Sequence, residues 1–271
     1  MNSMNKILLL FFLGINSFSQ IKSSVDIKKR QDSIVEKYLT NCAENYNYNY
    51  QMAEWQQCLD EGLKKDSTVA RLWQEKAMPN FKAKKYEVGM EFVNKAVFYD
   101  RKEFLPYRAF IKCIFSKEYK ASILDFENAK NEFGNNSIMD HTYNFYIALC
   151  YLQLNEFDKA AVILQEDIDV VYKKLGEEWI NTTDLFYLGI AKYELKMYAE
   201  AIIIFDRALK IYLNFSDAKY YKAICLARIK GSEETIKKLI SEAKEDAKVG
   251  YTIGEYNTVY ETYPYQKKWS N

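Results

Sequence analysis

The sequence contains few of the residues that make tight turns. Of its 271 residues, nine are glycine and three are proline. An all-β chain needs a turn about every ten residues and uses these residue types to make it, so the composition argues against that class. Hydrophobic residues make up 49% of the chain, which allows a sizeable core and excludes wholesale disorder.

Histidine, net charge and catalytic motifs are also scarce. His141 is the single histidine of the chain, so histidine-based catalysis and histidine-rich metal sites are poor hypotheses. The formal net charge of +1 gives no overall field that would attract nucleic acid or an acidic membrane. The patterns HExxH, GxSxG, GxxxxGK, GxGxxG and CxxC are all missing. We therefore expect no catalytic residue, no metal site, no cofactor and no nucleic-acid partner.

An enzyme nevertheless stays an alternative under one condition. A cleft in which two carboxylates converge on His141 would favour it, because a general base needs partners that orient it. Without such a cleft, a histidine at the surface or at the start of a helix is the simpler interpretation.

The first nineteen residues have the layout of a secretory signal peptide. Lys6 precedes an apolar run from Ile7 to Ile15, and the small residues Ser17 and Ser19 follow it. The run is too short to span a bilayer. We expect cleavage after Ser19 and an exported protein, periplasmic or secreted; a membrane anchor or a frayed helix is the alternative.

The chain has five cysteines, an odd number, so at least one must stay free or pair between chains. An exported chain can form disulfides, and Cys42 and Cys58 are the close pair. A turn between them would fold their helices into a hairpin, so we predict that they are bonded; two unpaired thiols are the alternative. Cys113, Cys150 and Cys225 lie in apolar helical stretches and are expected to act as small hydrophobic residues.

A repeat organises most of the chain. Tyr198 is followed by Ala201, Phe205 and Ala208, a spacing of +3, +4 and +3 that places all four on one helical face. The same pattern begins at Tyr86, Tyr119 and Phe157, and more weakly at Ser232. The steps between these anchors are 33, 38, 41 and 34 residues. Such a period is typical of paired helices stacked in an array, because one pair cannot bury its own apolar face.

This pattern resembles the tetratricopeptide repeat family, most closely over residues 185–208 with Leu188, Gly189, Tyr198 and Phe205. The resemblance implies an all-α, right-handed α-solenoid of helix-turn-helix pairs with a C-terminal capping helix and tail. The array covers residues 70–249, with repeat frames at 70–103, 103–136, 141–174, 182–215 and 216–249. The signal peptide at 1–19 and a degenerate helical hairpin at 20–68 precede the array. An aromatic tail at 250–271 follows it. The terminal proline of the family pattern is missing. The two long steps predict lengthened helices or loops near 130–141 and 170–183.

In proteins of this family the first helix of each pair lines the concave side. Carried over by position, the resemblance implies a partner-binding strip of aromatic, aliphatic and basic residues. Its members are Arg71, Phe81, Phe104, Tyr107, Ile111, Phe145, Leu149, Phe186, Ile190, Tyr193 and Tyr220. Aromatic side chains supply large contact areas at interfaces. The alternative for each of them is that it fills the core between helices.

The function that follows is an exported, non-catalytic scaffold that binds a protein or peptide partner through its concave face. The alternative is an envelope protein that binds a carbohydrate or another small ligand for nutrient capture. A stripe of contacts along several repeats would favour a peptide, and one deep aromatic pocket would favour the small ligand. The tyrosine-rich tail is expected to pack on the last repeat as a cap, with a partner-binding strip as its alternative.

Overall fold

The computed structural model of the chain describes residues 25–269, without the side chain of Tyr256, and most of these residues are helical. The predicted signal peptide at 1–19 lies outside them. The helices are α1 (25–35), α2 (Met52–Lys65), α3 (Ala70–Lys82), α4 (Tyr86–Tyr99), α5 (Arg101–Ile114), α6 (Tyr119–Phe133), α7 (Tyr143–Gln153), α8 (Phe157–Leu175), α9 (Thr182–Glu194), α10 (Tyr198–Ile211), α11 (Ser216–Arg228) and α12 (Glu233–Lys248). Within the described range, no helix combines the length and the apolar character that a membrane crossing needs.

The turn inside each helix pair has the same backbone conformation. In every case one residue other than glycine adopts φ near +60°, and it lies two residues before the anchor of the repeat. These residues are Lys84, Lys117, Asn155, Lys196 and Lys230. The left-handed conformation reverses the chain within a few residues, so the two helices of a pair pack directly against each other.

The ends of several helices are fixed by their sequence. The side chains of Thr142 and Asn181 accept hydrogen bonds from the backbone N–H groups of Phe145 and Thr183, which are free in the first turns of α7 and α9. At the other end, α6 stops at Gly134 with φ of +85° and α8 stops at Gly176 with φ of +102°. Glycine tolerates these positive angles, so both residues mark places where a helix ends.

The two long repeat steps have different structural causes. Before α7 the chain forms a small antiparallel hairpin, β1 (Ser137–Ile138) paired with β2 (His141–Thr142). The two residues of its turn both have positive φ, as in a type I′ turn. After α7, the second helix α8 is longer than the others, and a single 3₁₀ turn, Glu177–Trp179, follows it. The guanidinium of Arg207 on α10 holds this turn through two bonds of 2.7 and 3.0 Å to the carboxylate of Glu177.

The chain divides into two compact units between Phe104 and Leu105. In the first unit, α1 continues into a π-helical turn and a 3₁₀ turn before α2, in place of a simple helical hairpin. Cys42 and Cys58 are bonded in the structure, with 5.8 Å between their Cα atoms. Around them, Leu39, Trp55 and Leu59 form a small buried core. The disulfide thus joins the irregular segment to α2.

The second unit stacks its helix pairs side by side. Each second helix packs on the first helix of the next pair, as in the contacts α6–α7, α8–α9 and α10–α11. Aromatic rings fill these junctions: the rings of Phe126 and Tyr146 are parallel at 5.5 Å, and Phe110 meets Tyr146 edge-on at 5.3 Å. The three free cysteines are all buried, as small residues of the core. The second unit is therefore an all-α array of stacked helix pairs.

Candidate functional site

The structure places most of the predicted partner-binding residues in the core. Eight of the eleven are buried, among them Phe186, whose exposed fraction is 0%. These eight are Phe81, Phe104, Tyr107, Ile111, Phe145, Leu149, Phe186 and Ile190. The centroid of the Phe186 ring lies 5.2 Å from that of Phe215, just before α11, and 6.1 Å from that of Phe205 on α10. Assigning these eight to an open surface was wrong, because a first helix packs between the second helix of its own pair and that of the preceding pair, and both sides need apolar rings.

The other three predicted residues reach the surface. Arg71 is exposed, and its guanidinium lies 2.7 Å from the carboxylate of Glu75 one turn along α3. Tyr193 and Tyr220 are half-buried on α9 and α11. In the second unit, the two tyrosines lie beside a segment that the repeat pattern does not place there, namely the C-terminal tail.

The tail, residues 250–269, covers the first helices of the second unit. It leaves α12 at Gly250, passes the start of α11, reaches Lys117 in the turn after α5, and returns to α11. Its only regular element is the 3₁₀ turn Tyr256–Val259. We call the surface beneath it, formed by α7, α9, α11 and the end of α5, the first-helix face. The tail was expected on the last repeat, and its course back across several pairs corrects that expectation.

Asp217 on α11 holds both ends of the tail. Its Oδ2 accepts a hydrogen bond of 3.1 Å from the backbone N–H of Ile253, and its Oδ1 accepts one of 2.6 Å from the backbone N–H of Lys267. Burial raises the pKa of Asp217 to about 6, although these two N–H donors act in the opposite direction. One carboxylate therefore binds both the outgoing and the returning part of the tail.

Between these ends, apolar and carbonyl contacts fix the tail on α9. The side chain of Tyr263 is 1% exposed and that of Ile253 is 2% exposed. The hydroxyl of Tyr187 on α9 donates a hydrogen bond of 2.9 Å to the carbonyl of Pro264. At the returning end, the Trp269 indole N–H donates to the Ser216 hydroxyl at 3.3 Å. The tail is thus held by buried side chains and by bonds to its backbone.

His141 forms a buried charged cluster with the tail. It is 4% exposed; its Nε2 lies 2.8 Å from Glu255 of the tail and its Nδ1 lies 3.3 Å from Oδ1 of Asp184 on α9. The Asp184 contact has the geometry of an ion pair and not of a hydrogen bond. Burial by itself would lower the pKa of His141, but the two carboxylates outweigh it and raise this pKa to about 9. At neutral pH the imidazolium therefore links the tail to β2 and α9.

This cluster meets part of the condition set for an enzyme, since two carboxylates do converge on His141. A cleft of about 310 Å³ opens beside it, with Thr183, Tyr212 and Thr252 in its wall. Both ring nitrogens, however, face carboxylates, so a charged His141 has no free nitrogen with which to accept a proton from a substrate. The hydroxyl of the adjacent Thr142 is bonded to Asp167 at 2.5 Å. The arrangement is a buried ion cluster that joins the tail to β2 and α9.

Among residues 25–269, no group of three or more histidine, cysteine or acidic side chains is placed to hold a metal ion. A cleft of about 530 Å³ in the first unit is shallow and lies beside Trp73, which is stacked on Phe92 with Lys95 above its ring. Trp73, Phe92 and Lys95 thus contact one another within the first unit.

Sequence reasoning missed five residues that hold the tail, namely Lys117, Asp184, Tyr187, Ser216 and Asp217, and it interpreted His141 as a residue at the surface or at the start of a helix. Asp217 and Asp184 lie in the first turns of their helices, where acidic residues are common and do not indicate a binding role. A weak signal was available: aromatic residues at 251–269 are too dense for a solvated tail and indicate a buried one.

Comparison with known proteins agrees with this architecture. The family model described as tetratricopeptide repeat matches residues 185–212, which are α9, α10 and the turn between them. A search of curated proteins finds no significant match. Among solved structures, PilW, described as a widely conserved type IV pilus biogenesis factor, superposes with a TM-score of 0.60 at 14% identity over 80% of this chain and 94% of that one.

Two further structures have related folds. A tetratricopeptide repeat protein from Parabacteroides merdae superposes with a TM-score of 0.60 at 11% identity, over 81% of this chain and 80% of that one. YrrB, described as a TPR protein with an unusual peptide-binding site, gives a TM-score of 0.50 at 17% identity over 71% of this chain and 93% of that one. Identities this low show the fold alone. The chain carries a tetratricopeptide repeat at residues 185–212 and has the all-α fold of stacked helix pairs found in tetratricopeptide repeat proteins.

Proposed function

We propose that this chain is an exported, non-catalytic scaffold that binds a segment of a protein partner on its first-helix face. The observation that carries the proposal is that this face already holds a long, largely non-helical stretch of polypeptide. Asp217, Tyr187 and Lys117 bond to backbone atoms of that stretch. Any protein segment can offer the same backbone groups, so the face has the chemistry needed to hold a peptide.

The distribution of the contacts favours a protein segment over a small ligand. They extend from Lys117 in the turn after α5, past His141 before α7 and Tyr187 on α9, to Asp217 on α11. A stripe of this kind fits a chain many residues long. The cleft beside His141 has charged and hydroxyl-bearing walls and is not a deep aromatic pocket of the kind that would favour a sugar.

Two of the structural relatives support the class of partner. The described peptide-binding site of YrrB and the described role of PilW in pilus biogenesis concern assemblies of proteins or peptides. Their folds resemble that of this chain, and we extend only the general class, a protein or peptide partner, to it. Export is the second part of the proposal, and it follows from the signal-like layout of residues 1–19.

A peptide selection followed by crosslinking tests the proposal. Random peptides displayed on phage are selected on residues 20–271, resynthesised with a photoreactive group, and crosslinked to the protein. We expect selected peptides to crosslink to α7, α9 and α11, whereas scrambled peptides should not crosslink. Crosslinks that fall on the second helices α8 and α10, or a selection that yields no binder, would contradict the proposed binding face.

A further inference from the structure

The position of the tail is not explained by a need to cover the end of the helix array. The last helix, α12, packs on α11, and only Ala243 of α12 is buried. The chain then leaves it through Val249, which is 69% exposed, and Gly250, whose φ is +90°. From there the tail runs away from α12 and back across the earlier pairs. It lies along a surface that α7, α9 and α11 form.

Much of the binding is directed to the backbone of the tail. The carboxylate of Asp217 accepts from two backbone N–H groups, and the backbone N–H of Ser216 donates to the carbonyl of Tyr251 at 2.8 Å. Tyr187 donates to the carbonyl of Pro264 and Lys117 donates to the carbonyl of Thr262. Such bonds do not depend on the side chains of the tail, so another segment can make them.

The side chains of the tail that are recognised form a short pattern. Ile253 is buried, Glu255 meets His141, and Tyr263 and Pro264 are buried eight and nine residues after Glu255. The fit is imperfect at one point. The hydroxyl of Tyr263 is buried with no hydrogen-bond partner among the described residues, and burying such a group is unfavourable.

Two features make the tail resemble a bound ligand more than a part of the core. Its contacts include buried charges, at Asp217 and at Glu255 with His141, whereas permanent interfaces are more apolar. Tyr265 adopts φ of +59°, a conformation that is unfavourable for a residue with a side chain. The backbone conformation of Tyr265 lowers the stability of the bound tail relative to a released one.

We propose that residues 251–269 are an exchangeable ligand of the first-helix face, and that a protein segment with the pattern Ile-x-Glu followed eight residues later by Tyr-Pro takes their place. The identity of the external segment rests on the proposed function of this face. The exchange of the tail rests only on the contacts above. In the free protein the tail occupies the face, and a partner binds by displacing it.

The covalent link to the tail sets the size of the expected effect. A segment tethered by a short chain has an effective concentration on the order of millimolar. An added peptide with the tail sequence must compete with that concentration. We therefore expect an apparent Kd near the millimolar range for the intact protein and a much lower Kd once the tail is no longer tethered.

The test uses the mature chain with a protease recognition sequence inserted between Val249 and Gly250. After cleavage and removal of the released fragment, a fluorescent synthetic peptide of residues 250–271 is titrated into the cut and the uncut protein. We expect the peptide to bind the cut protein at least tenfold more tightly than the uncut protein. A fragment that stays attached until the helices unfold, or helices that unfold when it leaves, would overturn the proposal.

Matched substitutions identify the site of rebinding. In cut Asp217→Asn, one of the two backbone N–H groups meets an amide donor, and we expect the peptide to bind at least tenfold more weakly. Asp206→Asn removes a carboxylate on α10 that pairs with Lys222, and it should leave the affinity unchanged. Because the unpaired hydroxyl is lost, a peptide with Tyr263→Phe should bind about tenfold more tightly. Equal affinities for the two protein variants would contradict the assigned site.

Hydrogen exchange on the intact chain gives an independent measurement. We expect the amides of residues 251–269 to exchange together and faster than those of α9 and α11, as a separate opening. Exchange of the tail only together with α9 and α11 would overturn the proposal.

If the cut protein rebinds the tail peptide but no foreign segment, the proposed function fails and the exchange of the tail stands. If a foreign segment binds the uncut protein without releasing the tail, the proposed function stands and the exchange of the tail fails.

Discussion

At the scale of single residues, glycine sets how closely the helices of a pair approach. A Cβ atom added to Gly189 on α9 would lie 2.5 Å from Cε1 of Phe205 on α10. Gly89 on α4 shows the same contact with Phe81 on α3, at 2.6 Å. In both pairs an aromatic ring lies directly on the glycine, so the missing side chain is part of the packing.

We expect Gly189→Ala to lower the free energy of unfolding by about 1–3 kcal/mol, because the ring of Phe205 must move into a filled core. Gly254→Ala is the matched control, since no atom lies within 4 Å of a Cβ added there. Urea unfolding followed by circular dichroism measures both variants. Equal stability of the two would show that the α9–α10 packing can relax without cost.

The buried ion cluster makes a second prediction, for the pH dependence of stability. The charged groups around His141 are Glu255 of the tail, Asp184 on α9, Asp140 in the hairpin turn and, behind Asp184, Asp167 on α8. The pKa of His141 rises from 6.5 to about 9 in the folded chain. Its stabilising contribution is therefore complete below pH 6.5 and is lost as the pH rises toward 9.

A rise of this size in the pKa of His141 corresponds to about 3 kcal/mol, since each unit of pKa is worth about 1.4 kcal/mol, and the burial that raises the pKa of Asp184 offsets part of it. Urea unfolding of the wild type and of His141→Gln at pH 6, 7, 8 and 9 measures it. We expect the wild type to exceed the variant in stability at pH 6, and the difference to shrink as the pH rises. A difference that does not change with pH would mean that His141 is neutral in the folded protein.

At the scale of elements, the disulfide stabilises the most irregular part of the first unit. Cys42 and Cys58 are 16 residues apart, and a loop of that length corresponds to about 3 kcal/mol in the chain-entropy model. We expect non-reducing peptide mapping of the exported protein to find the two linked. The double variant Cys42→Ser with Cys58→Ser should unfold at lower urea. Two freely alkylated thiols at these positions would contradict the prediction.

The first helices supply another prediction, because they carry both buried and half-buried aromatic residues. We expect Phe186→Ala on α9 to lower the free energy of unfolding by about 3–5 kcal/mol, since its ring fills the junction with α10 and with Phe215. Tyr193→Ala, two turns along the same helix, should cost clearly less because its ring is half-buried. Urea unfolding of the two variants measures the difference, and equal small losses would show that Phe186 lies on an open surface.

At the scale of the whole molecule, the prediction concerns export. The layout of residues 1–19 predicts that a signal peptidase removes them after Ser19. We expect N-terminal sequencing of protein from the exported fraction of expressing cells to begin at Gln20. A chain that retains Lys6 and the apolar run, in a membrane fraction, would indicate an anchor.

Local spacing in the sequence is sufficient to predict the helix pairs. Tyr198, Ala201, Phe205 and Ala208 lie on one face of a helix whatever surrounds it, because the spacing follows from the helix period. The observed helices α9 and α10 fall in the frame 182–215 for this reason. The long steps also indicated the regions in which the hairpin and the extended α8 lie, although not the form that either takes.

Only the tertiary structure decided what covers each helix. A helical period identifies the apolar side of α9 but not whether Phe186 meets another helix, a partner or solvent, and here it meets α10 and Phe215. The tail has no period to read, and its contacts join residues far apart, such as His141 with Glu255, 114 positions later. Such contacts are set by the chain folding back on itself, because hydrogen bonds and buried charges depend on distances in space. The local sequence therefore determined the helix pairs, and only the tertiary structure determined that the tail covers the first-helix face.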